Sequence, residues 1–228
     1  MELIFIRHGE PAWSVEGLSQ PNPHLTAKGH RQAEHTAERL TSGRLRPTEI
    51  LVSPTNRSIE TAEPIAASTG LRPTVIQDLE EIRMPDWSGE LEDSVQRTFT
   101  EARGRLPEDW WDGMPGGESF HDFHDRIGRV MTKLLDERGA RQGEADSSHV
   151  WDYTGAQQRI AIVAHGGTNS VALSFLLGID PTPWEWERFI LGHASLARVR
   201  LIPLAGGHVF SLRAFNDRDH LPPELRTR

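Results

Sequence analysis

Cysteine is absent from this 228-residue chain, which excludes a disulfide framework, a thiolate nucleophile and a cysteine-ligated metal. No apolar run approaches the roughly 20 residues of a membrane-spanning helix. The chain enters a strand-like Leu3-Ile4-Phe5-Ile6 almost at once, with no basic leader before it. Positive charge is also scarce: 25 Lys and Arg stand against 33 Asp and Glu, a formal net of −8. Nucleic acid and anionic membranes are therefore not expected partners, because both draw on basic clusters. An acidic protein can still hold a locally positive pocket. These absences leave a cytoplasmic enzyme as the default, with residues 1–228 as a single domain, since a chain of this length can bury a full core.

What the sequence does contain is a set of short apolar runs, each followed by polar residues. Leu3-Ile4-Phe5-Ile6 leads into Arg7-His8-Gly9-Glu10, and Ile50-Leu51-Val52 leads into Ser53-Pro54-Thr55-Asn56-Arg57. Thr74-Val75-Ile76 leads through Leu79 to Glu80-Glu81, and Ile160-Ala161-Ile162-Val163-Ala164 ends at His165-Gly166-Gly167. Open α/β sheets bind ligands at the carboxyl ends of their strands, so these groups are expected to converge into one cationic pocket.

Helical patterns separate the runs. Thr26 can cap a helix whose Ala33, Ala37 and Leu40 recur at i, i+4 and i+7. A second helix is expected from about Asn56 to Ser68, kinked or broken at Pro64. Ser119 and Asp122 form a capping-box-like start for a core helix carrying Phe120, Phe123, Ile127, Val130, Met131 and Leu134. A further helix over Thr168–Leu177 should end at Gly178. Residues 11–24 read as a polar, Pro-rich loop, and residues 139–158 as a mobile surface loop without period. Leu196–Leu204 and His208–Phe215 read as a hairpin. The alternation points to a three-layer α/β/α sandwich.

The ordered set is specific. Arg7-His8-Gly9, Ser53-Pro54 with Arg57 and Thr61, the Glu81 region, Pro115-Gly116-Gly117-Glu118-Ser119, His165-Gly166-Gly167 and Asn216-Asp217 with His220-Leu221 resemble the histidine phosphatase superfamily, which includes the cofactor-dependent phosphoglycerate mutases. The resemblance implies a phosphoglycerate mutase-like fold with a mostly parallel central sheet. It implies His8 as nucleophile, Arg7, Arg57 and His165 as phosphate-binding groups, and His165 as a catalytic donor. The family's acid stands two residues after a leucine, just before an aliphatic residue, with a tryptophan six residues later; Leu79, Glu81, Ile82 and Trp87 keep that spacing, which favours Glu81 over Glu80. Where mutases place an asparagine after the first-loop tryptophan, this chain has Ser14, a thinner match to a phosphate contact. Arg83 stands in a segment that departs from the family pattern and is a candidate substrate contact.

The chemistry agrees with these types. Arginine presents a planar fork of donors to phosphoryl oxygens. A neutral imidazole nitrogen can attack phosphorus while the other donates to a backbone carbonyl, such as that of Gly9. A carboxyl beside a phosphate dianion keeps its proton more readily, so one residue can serve as acid and then as base. His121 and His124 lie off the apolar face of their helix, so neither a metal nor another cofactor is expected.

The reading is a phosphomonoesterase acting on a small-molecule phosphate ester, with a phosphoglycerate mutase as the alternative and a homodimer left open. Residues 90–117 read as a cap-like insertion. Over 90–116 it has Arg97, Arg103 and Arg105 against Glu90, Glu92, Asp93, Glu101, Glu108, Asp109 and Asp112, a poor home for a second anion. Trp110 and Trp111 are candidates to wall the substrate mouth or to pack the connection.

Overall fold

The computed structural model describes residues 1–143, 149–204 and 206–228. Among these, ten strands and six helices follow one another as β1 (Glu2–Arg7), β2 (Ser14–Val15), β3 (Leu18–Ser19), α1 (Ala27–Thr41), β4 (Glu49–Val52), α2 (Asn56–Thr69), β5 (Thr74–Val75), α3 (Glu92–Arg103), α4 (Phe120–Asp136), β6 (Ala140–Gln142), β7 (Trp151–Tyr153), β8 (Arg159–Ala164), α5 (Gly166–Leu177), α6 (Glu185–Arg188), β9 (Leu196–Leu204) and β10 (Gly207–Asp217). Eight strands make one sheet in the order β5-β4-β8-β1-β9-β10-β7-β6. β5, β4, β8 and β1 pair in parallel, and the remaining pairings are antiparallel. Only β9 and β7 are therefore reversed, which makes the sheet mixed and mostly parallel.

Both faces of β4, β8 and β1 are buried, so these strands are mainly apolar rather than alternating, while β5 at the edge is exposed. Ile4, Ile6, Ile50, Val52, Ala161 and Val163 pack with Ala37 and Leu40 of α1 and with Ala62 and Ile65 of α2. On the opposite face Leu3, Phe5, Leu51, Ile160 and Ile162 pack with Phe123, Ile127 and Met131 of α4 and with Val171 and Leu176 of α5. This is the expected three-layer sandwich.

The expected caps are present. Thr26 Oγ1 accepts from Gly29 N at 3.0 Å, Ser119 Oγ accepts from Asp122 N at 3.0 Å, and α5 ends at Gly178 with φ 67°. α2, however, runs unbroken through Pro64. Burial of Ala62 and Ile65 against the sheet holds the chain helical on both sides of the missing N–H.

Two loops contain more structure than their composition suggested. In the polar stretch 11–24, β2 and β3 form a short hairpin through Glu16 and Gly17, both at positive φ (52° and 80°), the geometry of a primed turn. The expected mobile loop 139–158 is instead, where described, the edge of the main sheet: β6 pairs with β7, and β7 with β10 through Trp151 and His208. Trp151 is fully buried, edge-on to Phe175 and Phe210. Strands of three residues are too short to show a period, so this edge was invisible to pattern reading. Residues 144–148 of that expected loop lie outside the described residues.

Candidate active site

The register of the parallel strands assembles the site. Arg7 pairs with Ala164 and Val52 with Val163, so β1, β4 and β8 end at one level. The residues that follow, His8, Ser53 and His165, therefore meet. The His8 and His165 rings lie 5.2 Å apart, edge to face. Both are fully buried at the base of a cavity of about 720 Å³ that Arg7, Arg57, Glu80, Glu81 and Arg83 also line.

His8 is oriented by its own loop. Nδ1 lies 2.7 Å from Gly9 O, so Nδ1 carries the proton and Nε2 keeps a free lone pair. Burial first, then the neighbouring Arg57, His165 and Arg7, whose positive charge would oppose a further proton, hold its pKa well below the ordinary histidine value. His165 is held neutral in the same way, by burial and then by Arg57, Arg7 and Arg126. Its Nε2 lies 2.7 Å from Ser53 Oγ, and its Nδ1 has no protein partner.

The arginines are placed by the surrounding backbone. Arg7 Nη1 donates to Leu191 O at 2.5 Å, and its Nη2 lies 3.2 Å from His193 Nε2. Arg57 sits over the Trp13 ring at 4.9 Å, a cation–π contact. Arg7 Nε and Arg57 Nε and Nη1 are buried without partners. Burial lowers both guanidinium pKa values to about 10, against the opposing pull of Glu81, which leaves them charged at neutral pH. With His165 Nδ1, four unspent donor sites belong to residues of one cavity. Unpaired buried donors are costly in an empty protein and are satisfied by an anion.

Glu81 is seated on the N-terminus of α5. Its carboxylate accepts from Gly167 N at 2.8 Å and from Thr168 N at 3.0 Å, as an anion at a helix N-terminus does. A side chain at Gly167 would collide with Glu81 Oε1, so glycine is required there to seat the carboxylate. Gly9 is needed for a different reason. A Cβ on it would come within 2.6 Å of Gly29 O, so the glycines beside the histidines serve close packing rather than only approach to a phosphate.

A buried ion pair behind Glu81 was not read from the sequence. Arg126 of α4 meets Glu118 through two bonds of 2.8 and 2.7 Å, and spends its other donors on the carbonyls of Asp78, Glu80 and Glu81. Glu118 also accepts from Arg83 N at 3.0 Å. The whole 78–83 segment is thereby tied to α4. Glu118 stands in the Pro-Gly-Gly-Glu-Ser motif, which was the available signal.

A model of the histidine phosphatase superfamily (branch 1) matches residues 3–217. The chain belongs to that superfamily. As a member it is an enzyme that acts on phosphate esters. The probable phosphoglycerate mutase GpmB of Salmonella paratyphi C is 30% identical over 202 residues, covering 87% of this chain and 84% of the relative. Among solved structures, a mycobacterial glucosyl-3-phosphoglycerate phosphatase is 25% identical with a TM-score of 0.70, covering 94% of this chain and 98% of its own. The phosphoserine phosphatase of Entamoeba histolytica, solved with phosphoserine, shares the fold at 23% identity and a TM-score of 0.68, over 97% of this chain and 99% of its own.

Of the candidate site residues, Arg7, His8, Arg57, Glu81 and His165 from the family pattern and Arg83 outside it all line the one cavity. Glu80 lines it too, but its carboxylate is tied to Gln77 and Arg83. Three candidates do not reach it. Ser14 lies in β2, outside the cavity wall, because the hairpin turns Trp13 and Ser19 inward instead. Trp110 donates to Arg105 O at 2.9 Å, and Trp111 stacks on His121 at 4.3 Å against the core, so both pack the connection. His193 touches Arg7 and Thr227 Oγ1, a support rather than a catalyst.

Proposed function

We propose that the chain is a phosphomonoesterase working through a phosphohistidine on His8. The observation that carries this reading is the gathering of the unpaired donors of Arg7, Arg57 and His165 around a neutral histidine whose Nδ1 is committed to Gly9 O. In the first step the His8 Nε2 lone pair forms the P–N bond. The P–O ester bond breaks, and the leaving alcohol takes its proton from Glu81. In the second step Glu81 takes a proton from water, whose oxygen attacks phosphorus; the P–N electrons return to His8 and inorganic phosphate leaves. The arginines and His165 neutralise charge on the equatorial oxygens throughout.

The mutase alternative draws support from the Salmonella relative. Against it stand the outer cations of the cavity, each already paired. Arg83 is bound to Glu80 at 3.3 Å, while Arg103 and Arg228 both hold Glu187, at 2.5 and 3.2 Å. A substrate carboxylate would have to displace one of these acids. Turnover of a panel of phosphate esters, beside an assay for phosphoglycerate interconversion, tests the choice. Hydrolysis with negligible interconversion is expected; efficient interconversion primed by a bisphosphoglycerate, with only trace phosphate release, would overturn it.

A further inference from the structure

Resting on that reading, we infer that the substrate's alcohol portion carries an aromatic ring, received between Trp13, Trp87 and Phe99. The cavity of about 720 Å³ is much larger than a phosphoryl group needs, and its wall includes an aromatic box of Trp13, Trp87 and Phe99 beside the aliphatic Met84, Pro85 and Ile190. A second cavity of about 410 Å³ shares these three rings, Ser19 and Arg103 with it and adds Glu92, Val95, Gln96 and Thr100 of α3, so the space beside the rings continues along that helix. Trp87 and Phe99 meet edge to face at 5.4 Å. Trp13 is 47% exposed, an unusual state for the largest apolar side chain. One edge of the box is fixed to the chemistry, because Trp13 also lies under the Arg57 guanidinium at 4.9 Å. A ring against Trp13 is thus one side chain away from the phosphate donors.

Charge complementarity points the same way. The acids of the cap that argued against a second anion mostly lie outside the cavity; α3 contributes Phe99 and Arg103 to it. Arg83 is nonetheless paired with Glu80, and Arg103 and Arg228 share Glu187. Beside these pairs the cavity wall offers the half-exposed face of Trp13 together with Trp87 and Phe99. Aromatic pairs add stabilisation beyond the area they bury, which favours a ring over an aliphatic chain of equal size.

Binding of non-hydrolysable phosphonates tests this without relying on turnover. Calorimetry on the wild type should show benzylphosphonate binding on the order of tenfold more tightly than methylphosphonate, and phosphonoacetate binding no more tightly than methylphosphonate. Phe99→Leu and Trp87→Leu, each checked by circular dichroism, should shrink the benzyl-to-methyl ratio toward one, whereas Leu106→Ala, on an exposed part of the cap, should preserve it. Equal affinity for the two phosphonates, preference for phosphonoacetate, or an unchanged ratio in both variants would overturn the inference. Failure of the hydrolytic reading is separate: the ester panel would then release no phosphate, whatever the phosphonate ratio.

Discussion

Two adjacent glutamates show how environment, not identity, sets a role. Glu80 is bound by Gln77 and Arg83 near solvent, whereas Glu81 is fixed by two backbone N–H groups of α5 in the cavity that both histidines line. Glu81→Gln should therefore slow alkyl phosphates far more than p-nitrophenyl phosphate, whose leaving group needs little protonation. Steady-state rates on both substrates check this, and the same differential in Glu80→Gln but not in Glu81→Gln would reverse the assignment. Arg7, His8, Arg57 and His165 were legible in the sequence because each follows closely on an apolar strand. Ser14 was misplaced because a two-residue strand and a primed turn at Glu16-Gly17 rotate the first loop, and nothing in the local pattern signals that rotation. Trp110 and Trp111, read as either walling the mouth or packing the connection, do the second, and the cavity is lined instead by Trp13, Trp87 and Phe99, residues far apart in sequence that meet only through the tertiary fold.

Between elements, the decisive contact is the one from α4 to the segment bearing Glu81. Arg126 bonds three of that segment's carbonyls and is itself held by Glu118, with both side chains almost wholly buried. Removing one partner of a buried pair typically costs about 3–5 kcal/mol, because the other charge is left unpaired. Arg126→Met should accordingly lower thermal stability. Arg126→Lys, which retains the charge but not the fork, should also steepen the dependence of rate on leaving group, as Glu81→Gln does. A purely structural role would lower stability and leave that dependence unchanged. α1, α2, α4, α5 and the central strands were readable from periodicity and caps, since each has a long buried face; α3, which buries only Ala102, and the four-residue α6 were not. β6 and β7 were not: three residues carry no period, and their place in the sheet depends on Trp151 packing against Phe175 and Phe210 from distant elements.

For the whole molecule, the burial of histidines couples the site to stability. His8 and His165 are held neutral well below the ordinary value, mainly by burial, while burial and the nearby Arg7 bring His193 to about 3 and burial brings His220 to about 4. The unfolded chain takes up protons at these residues as pH falls through about 6.5, whereas the folded chain resists until far lower. Stability should thus be complete above neutrality and decline from about pH 6.5 toward 4, each group contributing up to about 1.4 kcal/mol per pH unit in that window. Thermal melts between pH 4.5 and 7.5 test this; a flat profile from 7.5 to 5 would contradict it. The same neutrality should keep His8 nucleophilic on the acid side, so turnover is expected to hold as pH falls through 6.5 until the fold itself weakens.

The central claim is that phosphorus is transferred to His8, and trapping the intermediate tests it most directly. Wild-type protein mixed with labelled phosphate ester and quenched in alkali should carry an acid-labile, alkali-stable phosphoryl group, mapped to His8 by peptide mass spectrometry. His8→Ala, with an unchanged circular dichroism spectrum, should carry none and should not turn over. Label on another residue, or substantial turnover by a folded His8→Ala protein, would contradict the account.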